Sequence, residues 1–322
     1  MKKTVLAAAL GLMTVFSASY AEMKKVYVNQ IVEHPALDQT AKGIKDGLEK
    51  RGYKQGENLD FRVESAQGNI ALASQISTKF VNQGADVTVG IGTPSAQSLV
   101  KAASEGKTKM VFSSITDPLS ATLVTKLSGS NNNVTGMSNK VDVVPQFELF
   151  KELLPNLKTI GFIYNPADAN SIQQLDDVNV ASKKLGLTIV PQAVNKTSDV
   201  PQAATRLAGK TDALFVYGDN TTLAALESVI MAANKEKKPV FVADTDAVEL
   251  GALAALGPNQ YDLGLDTAVM IADILDGKDI NSIDVGFPNG LELFINQDAA
   301  DKLGYTFSDE VKAKAAKVIK KD

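Results

Sequence analysis

The 322-residue chain predicts an α/β protein of two doubly wound lobes with a ligand cleft between them. Three observations carry that reading. Apolar runs of strand length alternate with amphipathic stretches of helix length, the rhythm of parallel βαβ units. The rhythm starts again midway. The two halves then match in register: "DVTVGIGTPSAQSLV" lies over "DALFVYGDNTTLAAL", pairing Asp86 with Asp212, Gly92 with Gly218 and Thr93 with Asp219. Likewise "KMVFSSITD" lies over "KPVFVADTD", pairing Phe112 with Phe241 and Thr116 with Thr245, and "EHPALD" takes the place of "YNPADA".

In chain order the first half offers the strands "KVYVNQIV", "LDFRVES", "DVTVGIG", "KMVFSS" and "NVTGMS", with helices near 36–51, 70–83, 94–104 and 118–127. The second half offers "TIGFIYN", "LTIVPQAV", "DALFVYG", "PVFVAD" and "GALAALG", with helices near 167–185, 199–209, 219–236 and 259–276. Continuous Val, Ile and Phe runs imply strands covered on both faces. The repeat leaves the helix near 259–276 without a counterpart in its own half, so the chain is expected to recross. Lobe 1 then takes residues 24–140 with 259–285, and lobe 2 takes 142–257 with 286–322.

Lys2 and Lys3 precede an apolar run from Val5 to Phe16 and the small-residue site Ser19-Tyr20-Ala21. This reads as a secretory signal peptide over residues 1–21, cut after Ala21. A membrane anchor needs about 20 apolar residues, and polar and small residues interrupt this run too early. The chain has no cysteine to carry a lipid or a disulfide. A soluble protein of the periplasm, without a lipid anchor, is expected. The remaining length suits two domains. With 33 basic and 37 acidic residues and no charge block, nothing suggests a nucleic-acid partner. The basic tail "KAKAAKVIKK" reads as the solvated face of a helix.

Open α/β sheets bind ligands at the carboxyl ends of their strands, and the loops there are chemically specific. His34-Pro35, Thr93-Pro94, Asp117-Pro118 and Asn165-Pro166 each put a polar side chain before a proline, the pattern of a helix cap followed by proline at the first helical position. Several helix N-termini directed at one cleft suit a carboxylate. Where the first half has Thr93, Ser95 and Ile115, the second has Asp219, Asn220 and Asp244 at or beside the matching positions. Hydroxyls on one wall and carboxylates on the other match a zwitterion. Asp219 and Asp244 also stand where helix caps are expected, so both readings stay open.

Catalysis finds little support. The single histidine, His34, has no triad setting, no GxSxG or HExxH occurs, and "GIGTPS" lacks the ending of a phosphate loop. Neither a metal cluster nor a cofactor motif is present.

The ordered set "EHPALD", "GIGTPSAQSL", "SSITDPLSATLV", "NVTGMS", "YNPADANS", "YGDNTTLAAL" and "GALAALG" resembles the tryptophan/tyrosine-type substrate-binding proteins of ABC transporters along nearly the whole mature chain. The resemblance implies a type I periplasmic-binding fold with three hinge crossings and a cleft that closes on a small ligand, often an aromatic amino acid. It implies as partners a permease and an ATPase at the inner membrane, no cofactor, and a monomer. Carried onto matching positions, the ligand shell draws on Glu33, His34, Thr93, Ser95, Ser114, Thr116, Asp117, Asn165, Asn170, Ser171, Asp219, Asn220 and Asp244. The absence of tryptophan weakens a sugar ligand, which commonly stacks on that ring. A periplasmic sensor, or a sugar or nucleoside binder, of the same architecture remains the alternative.

Overall fold

The computed structural model describes residues 23–103, 108–129 and 131–320. The expected leader and its cut after Ala21 lie outside the described residues. Twelve strands form two sheets among those described. The first sheet comprises β1 (Lys24–Gln30), β2 (Leu59–Ser65), β3 (Val87–Ile91), β4 (Lys109–Ile115) and β5 (Val134–Ser138), all parallel in the order β2-β1-β3-β4-β5. The second comprises β6 (Thr159–Tyr164), β7 (Thr188–Ala193), β8 (Ala213–Val216), β9 (Val240–Val242), β10 (Ala254–Gly257), β11 (Glu292–Asn296) and β12 (Lys317–Ile319), in the order β12-β11-β10-β9-β8-β6-β7. Among the described residues its only antiparallel pair is β10 with β11. The helices are α1 (Pro35–Lys50), α2 (Ile70–Asn82), α3 (Thr93–Ala103), α4 (Val144–Leu153), α5 (Ala169–Leu185), α6 (Val200–Ala208), α7 (Asn220–Leu223), α8 (Leu226–Lys235), α9 (Gln260–Leu275), α10 (Gln297–Leu303) and α11 (Asp309–Lys314).

β3, β5, β8 and β9 are buried along their whole length because helices cover both faces of each sheet. On the second sheet each face has its own apolar cluster, whereas on the first one cluster joins α1 and α9 to α2. Of the second sheet's clusters, one is built around Phe147, Phe150, Phe162, Phe215 and Phe241, with Phe150 stacked on Phe241 at 4.0 Å between ring centroids. The sheets are joined three times: after β5, between β10 and α9, and between Gly286 and β11. The segment around Gly286 runs beside β5, where Ser138 N donates to Gly286 O and Gly286 N to Gly136 O, each at 2.9 Å.

Three expectations need correction. No helix forms near 118–127: Asp117 Oδ1 caps Leu119 and Ser120, Asn131 Oδ1 accepts from Thr125 N and Lys126 N, and Thr122 adopts φ 56°. Side chains there take the N–H groups that a helix would use. The stretch near 219–236 is broken at Ala224 and Ala225 into α7 and α8. The basic tail is not one helix face, since α11 ends at Lys314 and β12 then pairs with β11.

α9 packs along α1, and two glycines permit the close crossing. A Cβ at Gly264 would collide with the Thr40 carbonyl oxygen, and one at Gly43 with the Tyr261 carbonyl oxygen. Gly264→Val is therefore expected to push the helices apart and destabilise the fold by about 1–3 kcal/mol or more, measured by denaturant melts. The contact matters for the site because Thr40 and Gln260 sit on these facing helices.

Candidate ligand-binding site

The carboxyl ends of the two sheets face each other across a cavity. His34, Ala36, Leu37, Thr93, Ser114, Thr116 and Asn139 line it from the first sheet's loops. Asn170, Gly218, Asn220, Leu223 and Asp244 line it from the second's. The cavity measures about 20 Å³, room for about one water molecule. A wider cleft of about 530 Å³ borders it, walled by Ile31, Gln67–Ala71 and Pro94 on one side and by Asn165, Asp168, Asn195–Ser198 and Asn220 on the other. A groove of similar size between α8, the turn at 245–250 and α10 has walls from the second lobe alone and lies away from these strand ends.

Asp244 ends β9 at a cap position, yet its side chain caps nothing. It is buried, and its Oδ1 accepts one bond, from Gln260 Nε2 at 3.0 Å. Burial, followed by repulsion from Asp246, pushes its carboxyl up to about 7 against the Gln260 hydrogen bond. Gln260, the first residue of α9, uses its Oε1 to accept from Ser114 Oγ at 2.9 Å and Thr40 Oγ1 at 3.3 Å. β4 slips register between Phe112 and Ile115, and Ser114 takes φ 56°. The bulge re-aims the serine hydroxyl toward Thr40 and Gln260. One amide thus links hydroxyls of the first lobe to a carboxylate of the second. Two further bonds cross between lobes: Gln174 Nε2 donates to Thr116 Oγ1 at 2.9 Å and Ser120 Oγ to Gln173 Oε1 at 3.1 Å.

His34 and Asn170 are different. His34 occupies the cap position of α1 with no side-chain cap bond, and neither ring nitrogen has an aligned hydrogen-bond partner. Burial pushes its pKa down to about 4, and the neighbouring Asn220 side chain opposes that only in part. Asn170 Nδ2 donates to Gly218 O at 3.3 Å, which leaves Oδ1 buried and unpaired.

The cavity therefore gathers seven of the expected residues: His34, Thr93, Ser114, Thr116, Asn170, Asn220 and Asp244. Asn165 lines the outer cleft, with Oδ1 taken by Ala167 N and Nδ2 donating to Thr221. The other five are spent elsewhere. Asp219 accepts from Asn165 N at 2.9 Å, from Thr222 N and Thr222 Oγ1 at 2.6 Å each, and from Ser171 Oγ. It caps α7 and ties that helix to the β6 loop, which consumes Ser171 as well. Ser95 Oγ donates to Asn29 Oδ1 at 2.9 Å inside the first lobe. Asp117 caps its turn and pairs with Lys140 at 2.6 Å, and Glu33 is exposed outside the cavity.

Sequence reasoning missed Ala36, Leu37, Leu223, Asn139 and Gln260. Leu37 and Leu223 lie within the quoted "EHPALD" and "YGDNTTLAAL", where apolar first-turn residues of α1 and α7 were the available signal. Gln260 sits in a helix read only as returning core.

This geometry is that of a two-lobed binding protein, and the comparisons agree. The chain belongs to the ABC transporter substrate-binding protein family, whose model matches residues 25–319. It is 34% identical over 306 residues to a tyrosine-binding protein of Clostridioides difficile, covering 92% of this chain and 88% of that one. Among solved structures, a conserved domain protein of Vibrio cholerae is 44% identical with a TM-score of 0.89, over 92% of this chain and all of that one. A domain from Streptococcus pneumonia in complex with L-Trp is 35% identical with a TM-score of 0.87, over 92% of this chain and all of that one. The ligand-free, open structure of a substrate-binding protein with adhesive properties from Clostridium difficile is 34% identical, over 93% of this chain and all of that one, with a TM-score of 0.68. At nearly equal identity, the lobes here stand closer to the tryptophan complex than to the open form. The fold is that of type I periplasmic binding proteins. Among the described residues no helix is long and apolar enough to cross a membrane.

Proposed function

We propose that this chain is the periplasmic receptor of an ABC importer, and that it captures an aromatic amino acid by closing two lobes around it. The observation that carries the reading is Asp244, a carboxylate buried between the lobes with a single protein donor, across from the Thr93, Ser114 and Thr116 hydroxyls. The ligand's ammonium pairs with Asp244, and its carboxylate meets the Thr93 hydroxyl and the N–H groups that open α3. Leu37 and Leu223 supply apolar contact for the side chain. Names of two relatives, one binding tyrosine and one complexed with tryptophan, support the aromatic class. No chemical step is included: His34 has no hydrogen bond to a hydroxyl.

The cavity is too small for such a ligand as it stands, so entry requires the lobes to part. We take 24–140 with 259–285, and 142–257 with 286–322, as the two moving bodies, with the three connections as hinges. The leader is cut after Ala21, and the released chain works as a monomer that presents its ligand to a permease and ATPase at the inner membrane.

A thermal-shift screen of protein refolded free of ligand, against amino acids, sugars and nucleosides, tests the reading. A ligand at 100 times its dissociation constant is expected to stabilise by about 2.7 kcal/mol. A response to tyrosine or tryptophan supports the proposal, and silence across all amino acids contradicts it. Thr93→Ala is expected to weaken the responding ligand by about 1.5–3 kcal/mol in titration calorimetry, through loss of a bond to a charged group.

A further inference from the structure

Two buried polar side chains reach the cavity without the partners that burial demands. His34 is 5% exposed and Asn170 4% exposed, and three of their atoms, His34 Nδ1, His34 Nε2 and Asn170 Oδ1, have no aligned hydrogen-bond partner, the Asn220 side chain lying beside the imidazole without closing a well-formed bond. Most buried polar atoms are paired, so a set of three unpaired ones around one cavity marks a place where the partner comes from outside the chain.

Their position within the sheets says which part of the ligand they face. Asp244 and Ser114, joined through Gln260, stand at the ends of β9 and β4. His34 follows β1, which is two strands from β4 in the order β1-β3-β4. At about 4.8 Å per strand this is about 10 Å away. Asn170 is fastened to Gly218 beyond β8, the strand next to β9, and Asn220 on the same side neighbours His34. An amino acid with its ammonium held at β9 and its carboxylate at the Thr93 end of β3 therefore has His34 and Asn170 on the side of the cavity away from β4, where its side chain can reach them.

We propose that His34 and Asn170 read a hydrogen-bonding group on the ligand's side chain, so that the site selects aromatic amino acids with a ring O–H or N–H over one with neither. The inference rests on the amino-acid reading above. Because the Nδ2 of Asn170 is turned to the Gly218 carbonyl, its Oδ1 is left as an acceptor. His34, neutral across the physiological range, offers one donor and one acceptor. A phenol O–H satisfies both types and an indole N–H satisfies an acceptor. A bare phenyl ring leaves all of them buried and unpaired, which is the costly case.

Titration calorimetry with L-tyrosine, L-tryptophan and L-phenylalanine tests this. The parent protein is expected to bind tyrosine, tryptophan or both about 10–100-fold more tightly than phenylalanine. His34→Leu is expected to weaken the preferred ligand while leaving phenylalanine unchanged or tighter, and Asn170→Leu does the same if the first variant folds poorly. Equal affinity of the parent for all three overturns the inference while the amino-acid reading stands. So does a variant that weakens all three by one factor, since that is a role in packing or at the head group. Failure of every amino acid to bind contradicts the amino-acid reading itself.

Discussion

Asp244→Ala is expected to weaken amino-acid binding by about 2–5 kcal/mol, because the ligand's ammonium is left in a closed cavity without its counter-charge. Asp244→Asn keeps the shape and an acceptor for Gln260 Nε2 and is expected to lose most of the same affinity, which separates charge from packing. The two variants also change the ligand-free protein in a way that a capping role does not. In the unfolded chain this carboxyl titrates near 3.8, whereas buried in the fold it holds its proton to about 7. Between those values the folded form binds more protons, so stability falls as pH rises from about 4 to about 7. The loss is on the order of a few kcal/mol at most, limited by opening of the lobes, which returns water to the carboxylate. Urea melts of ligand-free parent at pH 5 and 7.5 are expected to show that fall, and Asp244→Asn to reduce it, with the remainder carried by Asp168 and Asp246, which burial also raises, each to about 6.

Asp219→Ala is expected to do the opposite: a loss of about 3–5 kcal/mol of folding stability with little change in affinity for the folded protein. The carboxylate accepts from four donors on three segments, and removing it leaves the Asn165 and Thr222 N–H groups and the Ser171 hydroxyl buried and unpaired. Denaturant melts beside calorimetric titrations distinguish the two outcomes. A variant that folds as well as the parent but loses its ligand would return Asp219 to the binding site.

The contrast between these two aspartates marks where the sequence is legible. Both end apolar runs at cap positions, and both face the same cleft in the repeat. Which one is consumed depends on Asn165 in the β6 loop, on Ser171 in the first turn of α5 and on Thr222 in α7. Those are tertiary neighbours that no local pattern ranks. The strands are legible because parallel strands buried on both faces must be continuous apolar runs, as "VTVGI" and "ALFV" are. The stretch after Asp117 reads as a helix from its periodicity, but Asn131 and Asp117 take its N–H groups. The cap pattern at His34-Pro35 correctly places the start of α1. Only the structure shows that the imidazole caps nothing and has no aligned hydrogen-bond partner.

The central claim is that the cleft recognises a zwitterion, with Asp244 on its ammonium and the Thr93 end of α3 on its carboxylate. The most direct measurement is a calorimetric titration of ligand-free protein with the tightest-binding amino acid, its N-acetyl derivative and its carboxamide. N-acetylation removes the cation that Asp244 meets, and amidation removes the anion held at α3. Each derivative is expected to bind at least about 30-fold more weakly than the parent amino acid. An N-acetyl derivative that binds as tightly as the free amino acid would contradict the account.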